Sequence, residues 1–237
     1  MDWMNAEGLL IIGHRGASAD APENTLAAFA LAAEQGADGV ELDVQLSADG
    51  RLIIFHDFDV ARTTNGQGKV TELTAAQLQE FDAGEGQPIP TLDDLFELMG
   101  PRLLYNIEIK YFGWRGYGIE AVLADRIAAY QLENRVLVSS FNPLAVRRAQ
   151  RELPKTVPVA LLRGPGMTTY TYWLADGAAD HPHFSMVDEA YMAWARKRGY
   201  RVNVWTVDEP DEARRLAALG VNGIITNKPS FIRDSLN

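Results

Sequence analysis

Two short segments carry acidic side chains at alternate positions between apolar ones. In Gly39–Leu46 (GVELDVQL), Glu41, Asp43 and Gln45 alternate with Val40, Leu42 and Val44; in Leu103–Lys110 (LLYNIEIK), Asn106, Glu108 and Lys110 alternate with Ile107 and Ile109. Successive side chains of a strand point to opposite faces, so each segment has one apolar and one polar face. Carboxylates at i and i+2 repel each other, which raises one pKa or calls for a cation between them. A surface strand would leave such a pair in water. Two such strands whose alternate positions are apolar turn the acids inward, where a hard, oxygen-ligated cation such as Mg²⁺ or Ca²⁺ resolves the repulsion.

Basic groups accompany these acids. Gly13-His14-Arg15-Gly16 directly follows the apolar run Leu9–Ile12, with glycines that allow close backbone approach to a ligand. His56 closes the run Leu52–His56 (LIIFH). Two imidazoles, Glu41, Asp43 and Glu108, together with Arg15 and Lys110, suit phosphoester chemistry: cation and basic side chains clamp a phosphate while the imidazoles move protons. His181 and His183 flank Pro182, which suggests a loop, and both read as structural residues.

The elements that must position these residues alternate. Strands are expected at Leu9–Gly13, Gly39–Leu46, Leu52–His56, Leu103–Lys110, Arg135–Ser140, Pro158–Leu162, His183–Val187 (a weak candidate), Val202–Val207 and Gly223–Thr226. Between them lie amphipathic helices such as Thr25–Gln35, stopped by Gly36, and Pro210–Leu219, stopped by Gly220. Gly36-Ala37-Asp38-Gly39-Val40 and Gly220-Val221-Asn222-Gly223-Ile224 echo each other as helix stop, tight turn and strand. Such alternation predicts a parallel sheet with right-handed crossovers. Asp49-Gly50 is a hairpin signal, so Leu52–His56 runs antiparallel to Gly39–Leu46 and is not a barrel strand. Removing it leaves the eight strands of a TIM-type (β/α)₈ barrel, with the hairpin and an insertion at about residues 57–100 over the C-terminal rim, in one domain. An open doubly wound sheet is the rival. A turn at Asp49-Gly50 sets His56 opposite Asp43, and one at Ala48-Asp49 sets it opposite Glu41; either places the imidazole on the acidic face.

Composition narrows the partner. Against 22 Lys+Arg stand 32 Asp+Glu, a formal charge of −10 over 237 residues, so the chain lacks the basic surplus that displaces counterions from nucleic acid or docks on anionic membranes. The sequence contains no cysteine, which excludes disulfides, thiolate metal sites and a Cys nucleophile. Met1–Gly8 has no basic n-region and Leu9–Ile12 is too short for a signal or membrane segment, so a cytoplasmic location is expected. The exposed aromatics Trp114, Tyr170, Tyr172 and Trp173 could form a contact surface or pack within loops, which leaves the oligomeric state open.

Taken in order, the fragments resemble the glycerophosphodiester phosphodiesterase family. His14-Arg15-Gly16, Pro22-Glu23-Asn24-Thr25, Glu41-Leu42-Asp43-Val44, His56-Asp57 and Arg62-Thr63-Thr64-Asn65-Gly66 open the pattern. Pro90-Thr91-Leu92, Asn106 to Lys110, Ser140-Phe141-Asn142, Val204 to Val207 and Gly223 to Pro229 continue it to about residue 230. The resemblance implies a TIM-type barrel that hydrolyses glycerophosphodiesters to glycerol 3-phosphate and an alcohol. It implies that Glu41, Asp43 and Glu108 hold one divalent cation, that His14 and His56 form the acid–base pair, and that Arg15 and Lys110 bind phosphate oxygens. Trp205 is then a wall of the glycerol or alcohol pocket, with a core role as its alternative. Asn227 stands where the family commonly has Asp, a difference read as a matter of loop structure. Two rivals remain: a lysophospholipase D using an apolar wall from Phe58, Phe81, Leu92, Leu95 and Phe96, unless these form the insertion's own core, and a non-catalytic phospho-ligand binding protein.

Overall fold

The computed structural model describes residues 2–111, 113, 116–166 and 175–237; the aromatics Trp114, Tyr170, Tyr172 and Trp173 lie outside them. Its strands are β1 (Leu10–His14), β2 (Gly39–Leu46), β3 (Leu52–Ile54), β4 (Leu104–Ile109), β5 (Val136–Ser140), β6 (Val159–Arg163), β7 (Ala179–Pro182), β8 (Arg201–Val204) and β9 (Gly223–Thr226). All but β3 run parallel in the cyclic order β1-β9-β8-β7-β6-β5-β4-β2, and β2 pairs back onto β1 to close the barrel. The TIM-type architecture expected from the alternation of elements is therefore present, and β3 is the surplus antiparallel strand. Among the described residues, no helix is long and apolar enough to cross a membrane.

The alternation read in the acidic strands holds throughout. Val40, Leu42, Val44, Ile107 and Ile109 pack outward into the helical layer, with α1 (Leu26–Glu34) and the helix Leu92–Met99 supplying Phe29, Leu92, Leu95 and Phe96 to the same core. The barrel interior begins with an apolar tier of Leu10, Ile12, Leu104, Leu137, Ala160, Ala179 and Ile225. Trp3 joins this tier, and its indole N–H donates to the carbonyls of Tyr105 (3.2 Å) and Arg135 (2.8 Å). Above lies a fully buried polar tier. Ser139 Oγ donates to Asn106 Oδ1 (2.9 Å), and the Asn106 and Asn203 amides meet the two nitrogens of His181 at 3.4 and 2.9 Å.

Two local expectations change. The seventh barrel strand is Ala179–Pro182, and the weak candidate His183–Val187 holds only a 3-10 turn over Phe184–Met186. Ala-Asp-His-Pro shows no apolar alternation because its buried side chains are polar and paired: Asp180 with Arg163, His181 with the two amides. His181 is thus a structural residue, as read, but inside a strand rather than a loop. In the hairpin, Leu46 faces Leu52, Gln45 faces Ile53 and Val44 faces Ile54, a register midway between the two considered. The turn is longer than two residues and is closed by Ser47 N–H to Arg51 O (2.9 Å), with Gly50 at φ +77° taking the left-handed position. Finally, the glycines around His14 serve close packing as well. A side chain on Gly16 would lie 2.5 Å from the backbone of Ala28 in α1.

The insertion has a small core of its own, in which Ile53, Phe55, Val60, Val70, Leu78 and Ile89 are buried together with Phe81 against them. Phe81 therefore belongs to that core and Leu92, Leu95 and Phe96 to the barrel's, so of the proposed apolar wall only Phe58 remains exposed.

Burial pushes the His181 pKa down to about 3 from an ordinary 6.5, so protonation favours the unfolded chain. Stability from this group is complete above pH 6.5 and declines as the pH falls toward 3, by up to about 1.4 kcal/mol per pH unit. His181→Gln should flatten the fall in urea-derived stability between neutral and acidic pH; equal slopes in both proteins would refute the assignment.

Candidate active site

Parallel pairing of β2 with β4 sets Glu41 beside Asn106 and Asp43 beside Glu108. One oxygen each of Glu41, Asp43 and Glu108 lies within 4.8 Å of the other two, and all three residues are buried. Two cations are threaded between them. Lys110 Nζ is 2.7 Å from Glu108 Oε1 and 3.2 Å from Asp43 Oδ1; Arg15 Nε is 3.4 Å from Asp43 Oδ2, and the Arg15 backbone N–H donates to Glu41 Oε2 (3.1 Å). Asn24, held at φ +59°, donates its amide to Asp43 Oδ2 (2.8 Å).

These contacts sort the three acids. Burial would raise Asp43, but Lys110 and Arg15 carry its pKa down to about 2. Glu41 is pushed well up by burial and by the charges of Asp43 and Glu108. Burial lifts Glu108 to about 7 against the pull of Lys110. Three carboxylates face two basic side chains, so all three can ionise together only with further positive charge among their oxygens, which converge from adjacent strands. This donor set of hard oxygens is one that a metal ion fits.

His14 ends β1 and His56 arrives by a different route. Were β3 to continue, its register would turn His56 to the outer face with Leu42. It stops at Ile54 instead, and Gln45 Nε2 donates to the carbonyls of Phe55 (3.0 Å) and Asp57 (2.7 Å), bending the chain over the barrel mouth. His56 Nδ1 is then 2.6 Å from Asp57 Oδ1, and Asp57 pairs with Arg62. Arg62 reaches Glu23 (2.7 Å), which also holds Arg15 (2.8 Å). A continuous chain of charges therefore links the insertion to the C-terminal end of β1. Burial lowers both imidazole pKa values, that of His14 to about 4 with help from the charge of Arg15.

His14, Arg15, Glu41, His56, Glu108, Lys110 and Trp205 line one cavity of about 230 Å³, with Asn106, Phe141 and Leu162 completing its walls. Of the residues singled out for chemistry, Asp43 alone lies behind that surface, covered by Lys110, Arg15 and Asn24. Trp205 lines the cavity and also packs against the apolar tier; it stands edge-on to Phe141 (5.4 Å between centroids) and donates its indole N–H to the His181 carbonyl (2.8 Å). The residues missed by residue-type reasoning are Gln45, Glu23, Asn24, Asp57, Arg62 and Asn227. Gln45 shows only its place on the inward polar face of its strand, and the other five stand inside the ordered motif fragments, their only signal. Asn227, read as a loop residue, touches His14 Nδ1 at 2.7 Å.

The pattern that defines the glycerophosphoryl diester phosphodiesterase family matches residues 14–230. A glycerophosphodiester phosphodiesterase of Caldanaerobacter subterraneus subsp. tengcongensis is 40% identical over 233 residues, covering 94% of this chain and 96% of its own. An Oleispira antarctica phosphodiesterase solved in complex with its product sn-glycerol-3-phosphate superposes with a TM-score of 0.82 at 30% identity, over 96% of each chain. A putative glycerophosphoryl diester phosphodiesterase of Silicibacter pomeroyi superposes with a TM-score of 0.89 at 26% identity, over 97% of this chain and 93% of its own.

Gln45→Leu should leave the Phe55 and Asp57 carbonyls without that donor and lower stability by about 1–3 kcal/mol in urea unfolding. An unchanged midpoint would show that the bend holds without Gln45.

Proposed function

The chain belongs to the glycerophosphoryl diester phosphodiesterase family, and on that premise we propose that the rim site hydrolyses glycerophosphodiesters to glycerol 3-phosphate and an alcohol. The observation that carries this reading is the meeting of two imidazoles, from β1 and from the insertion, with three converging carboxylates and two cationic side chains around one cavity. A binding protein would use the cations but gains nothing from the imidazoles.

Glu41, Asp43 and Glu108 would hold one divalent cation, Mg²⁺ or Ca²⁺, whose charge stabilises the phosphoryl oxygens in the transition state. Arg15 and Lys110, which both line the cavity, grip the non-bridging oxygens. One imidazole, entering neutral, takes the proton of the attacking hydroxyl, and the other, entering as imidazolium, gives its proton to the departing alkoxide, each worth about 10²–10⁴-fold. Asp57 backs the His56 ring through its Nδ1, and Trp205 with Phe141 walls the organic part of the substrate.

A second reading keeps the site and enlarges the substrate to a lysophospholipid. It is favoured by a cavity of about 710 Å³ that shares Lys110 with the site and is lined by Leu46, Phe58, Tyr111, Tyr117 and Ile119. Higher kcat/KM for lysophosphatidylcholine than for glycerophosphocholine would select it, and the reverse order would discard it.

Glycerol 3-phosphate release from glycerophosphocholine should stop with EDTA and return on adding Mg²⁺ or Ca²⁺. His14→Ala and His56→Ala should each lower kcat by about 10²–10⁴-fold in a folded protein. Wild-type turnover in either variant would remove that residue from the reaction. Glu108→Gln should raise the cation concentration needed for half-maximal activity, and an unchanged titration would remove it from the ligand set.

A further inference from the structure

The orientation of the His14 ring can be deduced from the groups behind it. His14 Nδ1 lies 2.7 Å from Asn227 Oδ1. On the far side of that amide, Asn227 Nδ2 lies 2.5 Å from Asp208 Oδ2, and a carboxylate only accepts hydrogen bonds. Asp208 is itself fixed, because its Oδ1 accepts from the Thr226 hydroxyl (2.9 Å) and the Asn227 backbone N–H (2.8 Å). The amide nitrogen must therefore face Asp208 and the amide oxygen must face His14, where Ser18 Oγ also approaches it at 2.8 Å. An amide oxygen cannot donate, so the hydrogen between Asn227 and His14 sits on Nδ1. In a neutral ring this leaves Nε2 bare, and Nε2 is the nitrogen turned toward Glu41, 3.9 Å from its Oε2.

We propose that Asn227, clamped by Asp208, is a positioning residue that fixes His14 in its Nδ1–H tautomer with the unprotonated Nε2 presented to the cavity. The inference rests on the reading that His14 moves a proton at this site. It also accounts for the residue type. An amide can donate to a carboxylate on one side and accept from an imidazole on the other; Asp at 227 would set two carboxylates against each other, and Leu would offer nothing to either neighbour. Two loops, one after β8 and one after β9, thus orient a side chain that β1 carries.

The test begins with the wild-type enzyme. Long-range ¹H–¹⁵N spectra, with His14 assigned by difference against His14→Ala, should show a protonated Nδ1 and a bare Nε2, and this readout needs no variant of Asn227 to fold. Asn227→Leu should lose that signature and lower kcat by about 10²-fold with little change in KM. Asn227→Asp alone should also be impaired. Combining it with Asp208→Asn exchanges the donor and the acceptor across the same contact and should restore both the tautomer and most of the lost kcat. A protonated Nε2 in the wild-type protein, wild-type kcat in Asn227→Leu, or no recovery in a folded double variant would overturn the inference. Full activity in His14→Ala would instead overturn the reading of the site on which it rests.

Discussion

Three carboxylates buried on neighbouring strands set the terms for everything around them. Parallel pairing makes Asp43 and Glu108 direct neighbours, and Glu41 lies two residues below on the same face. Repulsion at such distances, away from water, is tolerable only with positive charge interleaved. Lys110 and Arg15 supply part of it and are themselves locked in place by doing so. Their confinement also gives the cavity its chemical character: an acidic protein presents, at this one mouth, basic groups to an incoming phosphate.

That constraint propagates outward. Arg15 is oriented by Glu23, Glu23 by Arg62, Arg62 by Asp57, and Asp57 meets the ring of His56. An exposed ion pair is worth little by itself. Joined end to end, the pairs matter less for stability than for geometry, since they tie a segment of the insertion to a strand end of the barrel. The imidazoles sit at the two ends of different supports, one carried by a strand and backed by an amide, the other by a bent loop and backed by a carboxylate.

Much of this could be read from the chain before any coordinates. The inward acids were legible because Val40, Leu42, Val44, Ile107 and Ile109 mark the opposite face of each strand, and the surplus strand because Asp49-Gly50 marks a turn. What escaped depends on contacts between distant residues. The strand Ala179–Pro182 has no apolar alternation, since its two central side chains, Asp180 and His181, are polar groups satisfied by Arg163, Asn106 and Asn203. The hairpin register is off by one because a turn signal does not state the length of its loop. His56 still reaches the acidic face only because Gln45 captures two carbonyls beyond the end of β3, which no pattern of periodicity encodes. Asn227 could not be told from an ordinary loop residue until Asp208 and His14 were seen on either side of it.

The hairpin has one more consequence, which concerns solubility. β2 outruns its neighbour: along one edge it pairs with β1 from Gly39 to Glu41, and along that same edge with β3 from Val44 to Leu46. A closed barrel has no free edges, but a strand that projects past its partner creates one, and here it carries Val44 and Leu46. Bare backbone donors and acceptors beside apolar side chains are a template for pairing with another chain. β3 occupies that edge from within the molecule, so the segment that delivers His56 also shields the barrel from self-association.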